Sequence, residues 1–247
     1  MIDIHAHILP GIDDGAADIY DTLEMAVMAV ESGVTKMVAT PHCNIPGYFD
    51  NHFGEVYIRA YEKAVEAIRR ERIPLELLPG AEAFATYDLP ELLVNKKVMP
   101  INQSRYVLME FSFNESLDFA NDVLRRVQEI GARPVIAHAE RYDFIQNNLY
   151  IVQEWVKKGY ILQVNKGSFV GRFGRRAEKL AYEFLKKGFV SVIASDAHSP
   201  VRRTPHMLDA YEHLRKICPE RELDVLFREN PERICNNRPV LRKSSVI

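Results

Sequence analysis

Cysteine is scarce: Cys43, Cys218 and Cys235 are the only three in 247 residues, and no C-x-x-C pair occurs. A disulfide framework and a thiolate zinc site are therefore disfavoured, and a reducing, cytoplasmic setting is expected. The residues six positions after these cysteines are Phe49, Asp224 and Leu241, so the C-x5-R spacing of a cysteine-based phosphatase is missing. Gly167-Ser168-Phe169-Val170-Gly171 is not the G-x-S-x-G elbow of a serine hydrolase. No run approaches the roughly 18 apolar residues of a membrane helix, and the N-terminus has no basic segment ahead of an apolar one, so neither membrane insertion nor secretion is expected. Charge of one sign is also lacking, with 32 Lys and Arg against 34 Asp and Glu. No basic block interleaves with aromatics, which disfavours nucleic acid as a partner.

What the sequence does have is a repeated placement of histidines and carboxylates behind apolar runs. Met1-Ile2-Asp3-Ile4 is β-prone, and His5 and His7 lie two apart at its end, where a strand points them to one side. The pattern returns with His42 after Lys36–Ala39, Glu82 after Leu75–Leu78, and Glu110 after Tyr106–Met109. It continues with His138 after Pro134–Ala137 and with Asp196 and His198 after Val190–Ala194. The run Tyr160–Val164 ends in Asn165. A lone His-x-His more often packs than ligates; the series carries the reading.

Between these runs lie helical periods. Ile19, Leu23, Ala26, Val27 and Val30 recur at three- and four-residue steps, with Gly33 as a stop. The segments 56–72, 117–130, 149–158 and 175–187 read the same way, which predicts an α/β fold with parallel strands and outer helices in one domain, 1–247. An open doubly wound sheet fits the alternation as well. A TIM-like barrel fits better, because donors from six scattered strand ends meet at one mouth only if the sheet closes. The basic stretch 238–247 is expected to be a loosely held tail.

Nine donors, His5, His7, Asp14, His42, Glu82, Glu110, His138, Asp196 and His198, exceed what one cation takes. Imidazole and carboxylate without thiolate suit manganese, zinc or iron. Four converging carboxylates would repel one another unless divalent cations neutralised them, and the result would attract anions such as phosphate esters. Water activated by metal is the expected nucleophile, with nearby arginines stabilising the transferring phosphoryl group.

The chain resembles the PHP superfamily (polymerase and histidinol phosphatase). Within it the chain is most similar to bacterial metal-dependent protein-tyrosine phosphatases of the capsule and exopolysaccharide type. The resemblance spans nearly the whole chain and rests on segments 4–15, Ala39-Thr40-Pro41-His42, Pro79-Gly80-Ala81-Glu82, Glu110-Phe111, 135–141 and 194–198. It implies a distorted (β/α)7 barrel with a trinuclear site, commonly of manganese, at the C-terminal ends of the strands. The implied substrate is a tyrosine-phosphorylated kinase that controls polysaccharide synthesis. By motif, His5, His7, Glu110 and Asp196 hold one ion, Glu82, Glu110 and His138 a second, and Asp14, His42 and His198 a third. Asp14 is selected over Asp13, which is otherwise an equal loop acid. Arg141 and Arg203 match phosphate-binding arginines, with Arg202 a rival for the latter. Relatives usually have proline where this chain has Ala139.

Other residues stay open. Tyr48, Phe49 and Phe53 follow His42 in a loop that either stacks on a phosphotyrosine ring or packs itself down. The segment from Asn165 to Gly174 lines the mouth in an unassigned role. Cys43 reads as a buried structural thiol, and His52, His206 and His213 carry no assignment. Alternatives to the tyrosine phosphatase are a small-molecule phosphatase such as histidinol-phosphate phosphatase, a kinase-docking regulator without turnover, and, more weakly, a nuclease. Self-association is compatible with the sequence and not fixed by it.

Overall fold

The structure is a computed structural model that describes residues 1–146 and 148–242. Its first half comprises β1 (Ile2–Ala6), α1 (Ile19–Glu31), β2 (Lys36–Ala39), β3 (His42–Cys43), α2 (Glu55–Arg70), β4 (Glu76–Pro79), β5 (Glu82–Phe84), α3 (Leu89–Val94) and β6 (Tyr106–Glu110). Then follow α4 (Leu117–Glu129), β7 (Arg133–Ile136), α5 (Asp143–Gln146), α6 (Leu149–Lys158), β8 (Ile161–Asn165), α7 (Gly174–Lys187) and β9 (Val192–Ala194). The chain continues through α8 (Leu208–Leu214), α9 (Glu220–Asp224) and α10 (Asn230–Cys235). Helix starts follow local chemistry: the Asp18 carboxylate accepts from Tyr20 N and Asp21 N at α1, and Ser116 accepts from Phe119 N at α4. No helix among the described residues is long and apolar enough to cross a membrane.

All strand pairs are parallel, in two ladders ordered β1-β2-β4 and β3-β5-β6-β7-β8-β9. Two of the predicted strands are thus followed, after a break, by a second short strand that carries the ligand. Pro41 has no N–H to give the ladder, so β2 ends at Ala39 and the chain resumes as β3 beside a different neighbour. The matching break between β4 and β5 lies at Gly80 and Ala81, where a Cβ on Gly80 would stand 2.6 Å from Val38 Cγ1. The sheet then curls until β9 reaches β1: His7 N donates to Ala197 O at 2.8 Å and Asp196 N to His5 O at 2.9 Å. The barrel expected from the sequence is therefore closed, by a short seam lying among the candidate ligands themselves.

Alternation along the strands separates an inside from an outside. Ile4, Val38, Leu108, Val135, Ile161 and Ala194 form an inner cluster with Ile234 and Cys235 of α10. Their neighbours Met37, Val107, Ile136, Leu162 and Ile193 face the larger outer core with the helices. Continuing the inward set towards the strand ends gives Glu110 on β6 and Gln163 and Asn165 on β8. The apolar plug thus gives way to a polar mouth.

The C-terminal stretch departs from expectation. The helices after β9 form a cap with no strand between them, and the tail is docked over its first residues. Tyr106 Oη donates to Arg238 O at 2.7 Å, and Asn230 exchanges hydrogen bonds with the backbone of Leu241. Arg242 donates to Tyr160 O at 3.1 Å. The rest of the expected tail, 243–247, lies outside the described residues.

Candidate metal centre

The nine donors named from the sequence come together at the C-terminal mouth. A shift of register between Asp3 and Ala6 in β1 turns both His5 and His7 into the site, with their Nε2 atoms 3.3 Å apart. Glu82 sits at the centre: its oxygens lie 3.2 Å from His5 Nε2, 3.2 Å from His7 Nε2, 3.1 Å from His42 Nδ1 and 3.0 Å from His138 Nε2. Glu110 is 3.4 Å from both His42 and His138. Asp196 is 3.4 Å from His5 Nε2 and 3.6 Å from His198 Nδ1. Asp14 closes the outer edge, 3.4 Å from His42 and 3.5 Å from His198, with a side chain 56% exposed. Three subsets have donor atoms close enough to share an ion: His5, His7 and Asp196; His42, Glu82 and Glu110; and His7, Asp14, His42 and His198.

Residues that the sequence reading left aside aim these donors. The Asp13 carboxylate accepts from His7 Nδ1 at 2.8 Å and from His42 N at 2.9 Å, while its other oxygen accepts from Gly15 N. Gln163 Oε1 accepts from the backbone of His138 at 3.1 Å, which fixes that atom as the oxygen and makes His5 Nδ1, 2.9 Å away, a donor. Asp13 and Gln163 thus hold His7 and His5 in the tautomer that leaves Nε2 free as a ligand. Gln163 Nε2 donates to Asn165, and Asn165 Nδ2 donates to Asp196 at 2.6 Å. Glu140, fully buried, accepts from Asn165 N and from the Ser168 hydroxyl. One signal for part of this set was present: Gln163 and Asn165 are alternate polar residues in an otherwise apolar strand.

The electrostatics are those of a cluster in which protons stand where cations fit. Burial opposes charge on Glu82, but His5, His42 and His138 hold its carboxyl well below the usual range. Burial likewise opposes charge on His138, yet Glu110 and Glu82 raise it to about 9. His7 is raised by Asp13 and Glu82 against its burial, and His198, buried beside that charged ring, falls to about 2. Even so, His42 Nδ1, Glu82 Oε2 and His198 Nε2 are buried without a hydrogen bond. Orphaned nitrogen and oxygen donors facing one another in a thiolate-free pocket fit divalent cations.

Both candidate arginines border Asp196. Arg203 pairs with its Oδ1, and Arg141 Nη1 lies 3.6 Å from its Oδ2. Arg202, the rival, is exposed, and its backbone N–H is the group bonded to Ser199. Ala139 in place of proline leaves the turn intact, since Ala139–Arg141 form one 3-10 turn in which Arg141 N donates to His138 O. In the aromatic loop, Phe49 stacks parallel on His42, whereas Phe53 turns away to line an apolar cavity with Tyr57 and Tyr61. Cys43 is buried, and that burial pushes its thiol up to about 12, which rules out a thiolate nucleophile near neutrality.

Residues 1–236 match the family described as capsular polysaccharide synthesis, CpsB/CapC. The chain belongs to that family. It is 34% identical to the tyrosine-protein phosphatase YwqE of Bacillus subtilis, over 98% of this chain and 94% of that one. It is also 34% identical to the tyrosine-protein phosphatase CpsB of Streptococcus pneumoniae, over 95% and 98%. Among solved structures, one from work on YwqE and CpsB, described as unique metal-dependent tyrosine phosphatases, superposes with a TM-score of 0.89. It shares 33% identity and covers 98% of this chain and 97% of that one. A β-aspartyl dipeptidase from Fervidobacterium islandicum, 15% identical with a TM-score of 0.52 over 95% of this chain and 72% of that one, shares the fold alone.

Proposed function

We propose that this CpsB/CapC family member is a metal-dependent protein-tyrosine phosphatase acting on a tyrosine kinase, or a related phosphoprotein, that controls capsule or exopolysaccharide synthesis. The observation that carries the reading is the convergence of nine nitrogen and oxygen donors with two arginines on one mouth, in a chain whose relatives are tyrosine-protein phosphatases. Manganese is the proposed metal, as three ions. His5, His7, Glu110 and Asp196 would hold one, Glu82, Glu110 and His138 a second, and Asp14, His42 and His198 a third. Divalent cations so held would lower the pKa of water towards neutrality and offset phosphoryl charge.

The chain's own groups then divide the work. Asp13, Gln163 and Asn165 keep the ligands oriented. Arg141 and Arg203 flank the mouth on the Asp196 side, where their N–H groups can take the equatorial phosphoryl oxygens. A phosphotyrosine leaves as a phenol of pKa about 10, so it needs less protonic help than the alkoxide of phosphoserine. Only three cysteines with no C-x-x-C pair, Cys43 and Cys235 among them buried, suit the cytoplasm, where we place the chain.

The test is hydrolysis of phosphotyrosine peptide, phosphoserine peptide and histidinol phosphate after chelation and after return of manganese, zinc or magnesium separately. Manganese-restored turnover confined to phosphotyrosine is expected. Preference for histidinol phosphate would move the protein to amino-acid metabolism, and turnover that survives replacement of both His5 and His7 by alanine would overturn the metal mechanism.

A further inference from the structure

The loop after β8, unassigned on sequence, ends in Phe173, and that ring lies 4.3 Å from the Arg141 guanidinium carbon. On β6's own exit loop, Phe113 lies 4.5 Å from the same carbon and 5.7 Å from the ring of His138. Arg141 is thus held between two aromatic rings. Its only ion pair among the described residues is the loose 3.6 Å approach to Asp196. Ring contacts engage the guanidinium through its π surface and leave its N–H fork available to an oxyanion.

The loop is shaped for this ring. Gly171 and Gly174 take positive φ on either side of Arg172 and Phe173, with values of +72° and +88°. A Cβ on Gly167 would meet Phe173 Cε2 at 3.0 Å, so a side chain there would press on the ring. Beside Arg141, a cleft of about 220 Å³ is lined by Phe113, Gln146, Phe173 and Ala177. Without the rings, the guanidinium has somewhere else to go.

We infer that Phe113 and Phe173 are positioning residues that hold Arg141 ready for a phosphoryl group, with Gly167 admitting Phe173 to its place. The inference rests on the phosphatase reading for its ligand but not on turnover for its test. Inorganic phosphate is titrated into the manganese-loaded protein by calorimetry, with bound manganese counted in each variant. Phe173→Leu and, separately, Phe113→Leu should each weaken phosphate binding about five- to tenfold with manganese content unchanged. Phe173→Trp, which keeps a ring face, should stay within about twofold of the native protein. The deciding arm is Phe173→Leu made in an Arg141→Gln background, where its effect should fall below about twofold.

With phosphotyrosine peptide, the same leucine variants should lower kcat/KM in parallel. Equal loss in both backgrounds would mean that Phe173 acts by packing or through Arg203, whose guanidinium carbon lies 6.0 Å from its ring; that result, or no rescue by tryptophan, would overturn the inference. A native protein that binds phosphate but turns over no phosphotyrosine would instead overturn the proposed function and leave the clamp standing. Gly167→Ala offers a second route to the same readout, with loss of phosphate affinity between that of native and Phe173→Leu expected; full native affinity counts against the clamp.

Discussion

Asp13 carries the greatest consequence among single residues that ligate nothing in our assignment. Its carboxylate fixes His7 through Nδ1 and the His42 backbone at once, so Asp13→Ala should cost about 10- to 100-fold in metal affinity while every ligand remains. Competition with a chelating dye would measure this; native affinity would mean that Asp13 orients nothing. His138 gives the pH dependence. Its folded, metal-free pKa of about 9 lies above the ordinary value, so its protonated pairing with Glu110 and Glu82 stabilises the metal-free fold fully below about pH 6.5, and that contribution is lost as pH rises through about 9. A ligand must be neutral, so metal binding at pH 7 should release protons, and fewer of them as pH approaches 9 to 10. Calorimetry in buffers of different ionisation enthalpy counts them.

Among elements, the two broken strands are the instructive ones. At the break before β5, the Tyr57 hydroxyl accepts from Gly80 N and donates to Gly80 O, both at 3.0 Å, and so replaces the ladder partner that the shift removes. Tyr57→Phe leaves two buried backbone groups unpaired and should cost about 1–3 kcal/mol, seen as a lowered denaturant midpoint. Gly80→Ala drives a methyl onto Val38 and should cost more than about 2 kcal/mol and displace Glu82, lowering manganese affinity as well. The longer helices follow the sequence period: α6 is expected over 149–158 and spans Leu149–Lys158, whereas α3 and α5 are too short for a period to mark them. The breaks are not marked in this way, because Pro41 and Gly80 read as strand ends, and nothing local says that the chain resumes in the same direction beside a new neighbour. The helices after β9 are not legible because α8 is short, and α9 and α10 run on through a π segment at Val225–Glu229 that breaks the 3.6-residue period.

For the whole molecule, closure and metal belong together. The seam between β1 and β9 is made by the backbones of His5, His7, Asp196 and Ala197, so side chains that would hold cations sit on a short joint of the barrel. Cations held there would have ligands on both sides of the seam, His5 and His7 on one and Asp196 and His198 on the other. At manganese near 100 times its dissociation constant the fold should gain about 2.7 kcal/mol, and chelation should lower the melting temperature by about 5–10 °C. Differential scanning calorimetry with and without manganese checks this, and an unchanged midpoint would mean that manganese does not bind the folded chain in preference to the unfolded one.

Eight of the nine donors and the parallel α/β alternation are legible in the sequence because both are local: strand ends are marked by apolar runs, and ligands follow them within a few residues; Asp14 is the exception, separated from Asp13 only by the family resemblance. The packing partners are not. Which carboxylate meets four histidines, which nitrogen of His5 and His7 is left free, and which rings embrace Arg141 all depend on side chains brought together from positions as far apart as His5 and Gln163 or Phe113 and Phe173. No spacing encodes such contacts. They exist only once the sheet has curled far enough for its last strand to meet its first.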